Sequence, residues 1–183
     1  WQLGQVMLEL HSGVDSTRHG PAAKPTANTP SDSLTALGRY PVGSLLGAGG
    51  MGQVLGVKDP HLGRSLAAKM IRGTASASVK ARFIQEAQIT GRLEHPNIVP
   101  VHELGMTDDG RLYFTMKRVQ GEDLKSSLAD RALFELLQIL LRVCDALAFA
   151  HSQGVIHRDL KPANIMVGRF GEVQVMDWGL AKV

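Results

Sequence analysis

The sequence holds a single cysteine, Cys144, in 183 residues, so no disulfide can form within the chain. That thiol sits in an apolar stretch beside leucines and is expected to be a buried small hydrophobe rather than a reactive group. No apolar run approaches the ~18 residues needed to span a bilayer. No basic segment precedes an apolar one at the start of the chain, so no signal peptide is indicated. There is no Lys/Arg run either, and the formal charge is only +3. Nucleic-acid binding is therefore without compositional support. A cytoplasmic protein is the default expectation, and an anchor elsewhere in a longer protein is compatible with it. Trp1 rather than methionine opens the chain, so a fragment is expected.

What is present is ordinary for a soluble globular domain: 44% hydrophobic and 20% charged residues. The length suits one domain and a tail. Residues 11–33 are rich in Ser, Thr, Pro, Gly and Ala ("HGPAAKPTANTPSDS") and read as a flexible linker, so the segment 1–38 is set apart. From Arg39 the texture changes. "YPVGSLLG", "QVLGVKD" and "SLAAKMI" predict three strands, the first two around a glycine cluster, the last after the turn "DPHLGR". Residues 78–93 carry Val79, Phe83, Ala87 and Thr90 at helical spacing, which predicts an amphipathic helix. "NIVPVHELG" and "RLYFTMKRV" predict two more strands joined by the turn "MTDDG". Residues 131–151 then form a helical stretch that is apolar on nearly every face, which calls for neighbours all around. Gly154 can end it. "NIMVG" and "EVQVMD" predict a hairpin around Arg169 to Gly171. A sheet-rich half before a helix-rich half predicts two lobes and the α+β class.

Four features bear on chemistry. "GAGGMGQV" (Gly47 to Val54) fits G-x-G-x-x-G-x-V, where missing Cβ atoms let backbone N–H groups approach phosphate oxygens. A glycine-rich hairpin turn would look the same. It is not a dinucleotide fingerprint, since a strand follows it, nor a Walker A loop, since no Gly-Lys-Ser/Thr follows. Lys69 lies inside an apolar strand, where it either snorkels to solvent or meets a partner. Glu86 sits beside the apolar stripe of the next helix and is the partner at hand. Such a pair about 4 Å apart gains roughly 4 kcal/mol at an effective dielectric of 20, with desolvation offsetting part. "HRDLKPAN" supplies Asp159, Lys161 and Asn164, and "MDWG" supplies Asp177. An Asn carbonyl and an Asp carboxylate suit Mg²⁺, which keeps waters and takes phosphate oxygens. That leaves Asp159 free to accept a hydroxyl proton. Singly, each is an ordinary turn residue; the ordered set is not.

In this order, "GAGGMGQV", "AAK", "HRDLKPAN" and "DWG" resemble the signature set of protein kinases of the eukaryotic type, nearest in flavour to bacterial Ser/Thr kinases. "EHPNIVPVHELG" between helix and strand is also typical. The resemblance covers residues 39–183, about four-fifths of the chain. It implies a complete small lobe over 39–119, with five antiparallel strands and one helix, and a partial helical large lobe over 120–183. It implies that the loop from Leu46 through Gly47, Ala48, Gly49, Gly50, Met51, Gly52 and Gln53 to Val54 covers ATP, with Ala67 beside it. Lys69 would hold the α- and β-phosphates with Glu86 as its partner. Met116 would be the gatekeeper, the backbone from Lys117 to Val119 would meet adenine, and Asp123 would reach the ribose. Asp159 would be the catalytic base, Lys161 would steady the γ-phosphate, and Asn164 and Asp177 would hold Mg²⁺. His157 and Arg158 look structural, with Arg158 able to pair a phosphate on an activation loop. The implied partners are ATP and proteins with Ser/Thr acceptors.

Three departures stand out. Trp178 replaces the usual Phe, Lys117 replaces a common Glu, and the chain ends with "DWGLAKV". A fragment lacking the later motifs is expected to be inactive alone. Two rival readings remain. A nucleotide-sensing or scaffolding pseudokinase would lack Lys69, Asp159 or Asp177, and all are present. A small-molecule kinase of similar fold fits "HRDLKPAN" and the glycine motif less well.

Overall fold

The computed structural model describes residues 34–49 and 52–183, so the expected linker and the two hairpin residues Gly50 and Met51 lie outside the described residues. A six-stranded antiparallel sheet, in the order β1-β2-β3-β4-β6-β5, forms the first half. Its strands are β1 (Ala36–Leu37), β2 (Tyr40–Gly49), β3 (Gly52–Lys58), β4 (Ser65–Ile71), β5 (Val101–Met106) and β6 (Leu112–Lys117). The turn after β3 is held by Asp59, whose carboxylate accepts the N–H groups of His61 and Leu62 at 3.1 and 3.2 Å.

Strands β4 and β6 read as continuous apolar runs because both faces of the sheet are covered. Ala67, Ile71, Leu112, Phe114 and Met116 face helix α1 (Ala77–Arg92), which lays Phe83, Ile84 and Ala87 on them. The Phe83 and Phe114 rings meet at 5.0 Å between centroids. Leu66, Ala68, Met70 and Tyr113 face the other way, onto Leu37, Tyr40, Leu55 and Val57. Ser76 caps α1, its hydroxyl accepting the Val79 N–H at 3.4 Å.

Two expectations need correction here. The segment 1–38 is set apart from the domain and five strands are expected; Ala36–Leu37 instead form a sixth, paired with Pro41 and Tyr40. The reason is Leu37, fully buried on the sheet face that α1 leaves open.

The second half is built on α2 (Leu124–Ser127), α3 (Leu133–Ser152) and a small sheet of β7 (Gly121–Asp123), β8 (Ile165–Gly168) and β9 (Val173–Val175). Short strand β7 and the single-turn α2 were not legible from periodicity. The β8–β9 hairpin turns at Arg169 to Gly171 as expected. Helix α3 ends where Gly154 takes φ +75°, a left-handed conformation that favours glycine. It buries one stripe, Ile139, Val143, Ala146 and Ala150, and leaves Leu133, Phe134 and Leu141 between 57% and 72% exposed. Cys144 lies one step round from that stripe and is exposed, against the expectation of burial. No helix among the described residues is long and apolar enough to cross a membrane.

The two halves share a seam. Helix α1 ends in the second core, where Ile89 and Leu93 join Val143, Ala146 and Val175. The loop after α1 is then bonded to β9: Asn97 Nδ2 donates to the Val173 carbonyl at 2.9 Å, and Gln174 Nε2 to that of Pro96 at 2.7 Å. Truncating Phe83, 1% exposed at the helix–sheet contact, to Ala is expected to cost about 3–5 kcal/mol of stability. Leu62→Ala, at the 68%-exposed tip of the β3–β4 turn, is expected to stay within about 0.5 kcal/mol. Chemical denaturation of the two variants checks the contrast, and equal losses would contradict the assigned packing.

Candidate active site

The site forms where the α1-facing side of the sheet meets the loop after α3. Alternation along β4 turns Ala67, Lys69 and Ile71 to the α1 side of the sheet, and Lys69 meets Glu86 of α1 there. The Lys69 Nζ lies 2.5 Å from Glu86 Oε1 and 3.3 Å from Asp177 Oδ1. Burial opposes charge on both Lys69 and Glu86. For Lys69 the two facing carboxylates prevail over burial, and its pKa is held above the ordinary lysine value. Burial lifts the Glu86 carboxyl against the pull of Lys69, with Asp177 adding to the rise. The lysine direction describes the unit, because one ammonium answers two carboxylates while Glu86 sees one cation and a second anion.

The loop that follows α3 is fixed from behind. His157 is 2% exposed, and its Nδ1 accepts the Asp159 N–H at 3.2 Å. Its Nε2 therefore carries the proton and donates to the Met176 carbonyl at 3.0 Å. Arg158 and Asp177 both take left-handed backbone conformations, φ +64° and +57°, which cost energy at non-glycine positions. Arg158 Nε donates to the Leu180 carbonyl at 2.6 Å. Asp159 accepts from Lys161 Nζ at 2.7 Å, and from Asn164 Nδ2 at 3.2 Å on its side chain and 2.8 Å on its carbonyl. The Lys161 bond leads the causes that hold the Asp159 carboxyl below the usual range, and Asp159 in turn raises Lys161.

A cleft of about 510 Å³ gathers these groups. Lys69, Glu86, Asp159, Asn164 and Asp177 line it under Gly47, Ala48, Gly49, Gly52 and Val54. A side chain at Gly52 would collide with the Met70 carbonyl, so only glycine fits there. The cleft opens past Met116 into a wider concavity whose walls include Leu46, Ala67, Val119 and Asp123. Asp123 also caps α2, accepting from the Ser126 N–H at 3.0 Å.

Not every expected residue reaches the cleft. Gln53 does not line it, because Gly52 and Val54 face inward and strand alternation turns Gln53 away. Lys161 is absent from its walls and is joined to them through Asp159. Met166 and Met176 do line it and were not singled out in the sequence. The signal for Met166 was present: Ile165 and Val167 of β8 enter the core, so the residue between them faces the opposite side. Trp178 fills the core against His157, ring centroids 4.5 Å apart, with its buried indole N–H lacking an acceptor among the described residues.

A family model described as protein kinase domain matches residues 40–183. The chain is 39% identical over 160 residues to the serine/threonine-protein kinase PknD of Protochlamydia amoebophila, covering 78% of this chain and 16% of that protein. It is 42% identical over 152 residues to a probable serine/threonine-protein kinase PknB of Corynebacterium glutamicum, covering 79% and 24%. The chain thus spans under a third of the length of these curated relatives. Among solved structures, the Mycobacterium tuberculosis PknI kinase domain superposes with a TM-score of 0.67 at 32% identity, over 79% of this chain and 59% of that one.

If Lys69 and Glu86 act as one unit, Lys69→Met and Glu86→Gln should not add. Thermal and denaturant unfolding of the two single variants and the double variant should give a coupling of about 0.5–3 kcal/mol. Additive losses would show that the pair is not coupled.

Proposed function

The chain belongs to the protein kinase domain family, and on that premise we propose that it carries the nucleotide cleft and catalytic loop of an ATP- and Mg²⁺-dependent Ser/Thr protein kinase. One observation supports this above the rest: Lys69, Glu86, the loop pair Asp159 and Asn164, and Asp177, from four separate segments, line a single cleft. The reading divides the domain into a small lobe over 39–119 and the first part of a large lobe over 120–183. Use of ATP implies a cytoplasmic domain.

In this reading the glycine-rich β2–β3 hairpin covers the phosphates and Lys69 holds the α- and β-phosphates. Glu86 fixes the ammonium's position. Leu46, Val54, Ala67 and Met116 enclose the adenine, which meets the backbone near Val119, with Asp123 at the ribose. The donor chemistry also fits a magnesium ion. Asn164 commits its Nδ2 to Asp159, so its amide oxygen accepts from no group among the described residues. One Asp177 oxygen contacts Lys69 and leaves the other unshared. Mg²⁺ binds through one or two such oxygens plus phosphates and waters. When bound it would neutralise charge on the phosphate oxygens.

Asp159 accepts the proton of the Ser/Thr hydroxyl. The hydroxyl oxygen bonds to the γ-phosphorus while the bond to the β,γ-bridging oxygen breaks and ADP leaves. Lys161, bonded to Asp159 at 2.7 Å, brings a cation to the same end of the site and steadies the γ-phosphate. Most of the acceleration comes from positioning and charge compensation, since the protein makes no covalent bond to the substrate.

Asp159→Asn in the full-length protein is expected to lower kcat on a Ser/Thr peptide by about 10²–10⁴ while nucleotide affinity, read by calorimetry, stays nearly unchanged. An unaltered turnover would remove Asp159 from this role. Lys161→Ala should act on the pH profile as well. Lys161 stabilises the charged carboxylate, so its loss raises the Asp159 pKa. Asp159 must be ionised to accept a proton, and the acid limb of kcat/KM should therefore move to higher pH. A limb that stays in place would show that Lys161 does not set the charge state of Asp159.

A further inference from the structure

The concavity beside the hinge holds more than a nucleotide wall. We propose that it is a docking groove for an acidic, apolar-containing peptide segment of a partner protein, gripped by Arg118, Arg142 and Arg169 beside Phe170. The concavity, about 1380 Å³ with the adenine-facing walls included, runs on from the end of β6 past β7 to α3 and the β8–β9 turn. The arginine-bearing end of this surface continues from the nucleotide cleft past Val119 and Asp123, and the inference does not depend on phosphoryl transfer.

The charges in the groove sort into two groups. Its carboxylates are already engaged: Arg131 holds Glu122 and Glu135 at 3.4 and 3.1 Å, and Ser126 bonds Asp123 through both its N–H and its hydroxyl, at 3.0 and 2.7 Å. The remaining guanidinium groups are not. Arg118, Arg142 and Arg169 line the groove and form no ion pair or side-chain hydrogen bond among the described residues. With the acids committed, the unanswered charge in the groove is positive. Guanidinium groups bind carboxylates in a two-pronged geometry that neighbouring Asp or Glu side chains can supply.

The second observation is apolar. Phe170, at the tip of the β8–β9 turn next to Arg169, is 94% exposed. A lone exposed apolar residue is unremarkable; Phe170 does not itself line the groove but stands between Arg169 and Gly171, which do, and so offers an anchor at its edge for a segment that is both acidic and apolar. Ile139 and Val173 form an apolar floor. A short acidic segment can place its carboxylates on the arginines alone.

The test uses the full-length protein without nucleotide. A fluorescein-labelled peptide with two Glu residues on each side of a Leu-Phe pair should bind saturably by fluorescence anisotropy and weaken as salt is added. The double substitution Arg142→Glu and Arg169→Glu should weaken it at least about tenfold, and Phe170→Ser should weaken it independently. Both variants should keep the parent's unfolding temperature and ATP affinity, which separates lost docking from lost folding. No saturable binding, undiminished binding by the charge-reversed protein, equal binding of a Lys-for-Glu peptide, or tighter binding of an oligothymidylate would each overturn the proposal.

Discussion

A lysine ammonium taken out of water must find negative charge, and the rest of this structure is arranged around how Lys69 does so. Its Nζ is answered by Glu86 at 2.5 Å and by Asp177 at 3.3 Å. The first partner comes from the helix packed on the sheet, the second from the stretch after β9. Sequence separations of 17 and 108 residues are thereby closed at one atom. A misplaced α1 would leave Glu86, 4% exposed, as a buried charge without a cation, a state that costs several kcal/mol. The position of α1 is thus specified electrostatically as well as by its apolar face.

Helix α1 can hold that position because it belongs to two cores at once. Phe83, Ile84 and Ala87 pack on the sheet, while Ile89 and Leu93 reach into the second core with Val175 and Trp178. The loop after it is stitched to β9 by the Asn97 and Gln174 amides. The backbone adds a ladder between Val175 and the Asn97–Val99 segment, with the Val175 N–H donating to Asn97 at 2.8 Å. The two carboxylates facing Lys69 therefore ride on elements that are fastened to one another as well as to the lysine. Preorganised charge in a partly dry cleft acts more strongly than the same charge in water.

Most of this was legible in the sequence, for a definable reason. Strands β2 to β6 and helix α1 carry their own periodicity, and the site residues sit inside motifs whose order survives folding. Beyond β7 and α2, three things were not legible. Strand β1 is two residues long and gains its place from Leu37 filling the open sheet face, which no local pattern announces. Cys144 was misplaced because α3 is apolar nearly all round, so composition could not say which stripe would be covered. Gln53 was carried into the cleft by belonging to a loop motif, whereas the loop's last residues lie on strand β3 and obey its alternation. In each case tertiary contact decided what local reading left open.

The positions that break local rules are the most informative. Arg158 and Asp177 both take left-handed backbone, and neither is glycine. Each is held by its surroundings: Arg158 by the bond from its Nε to the Leu180 carbonyl, Asp177 by its contact with Lys69. His157 joins the two stretches, taking the Asp159 N–H on one ring nitrogen and reaching the Met176 carbonyl with the other. The indole of Trp178 lies against that imidazole and is almost fully buried. Two strained backbones, locked by one buried imidazole, aim Asp159 and Asp177 into the same cleft. Strain of this kind persists where the surrounding structure over-determines it, and here the over-determining contacts are the ones that gather the site.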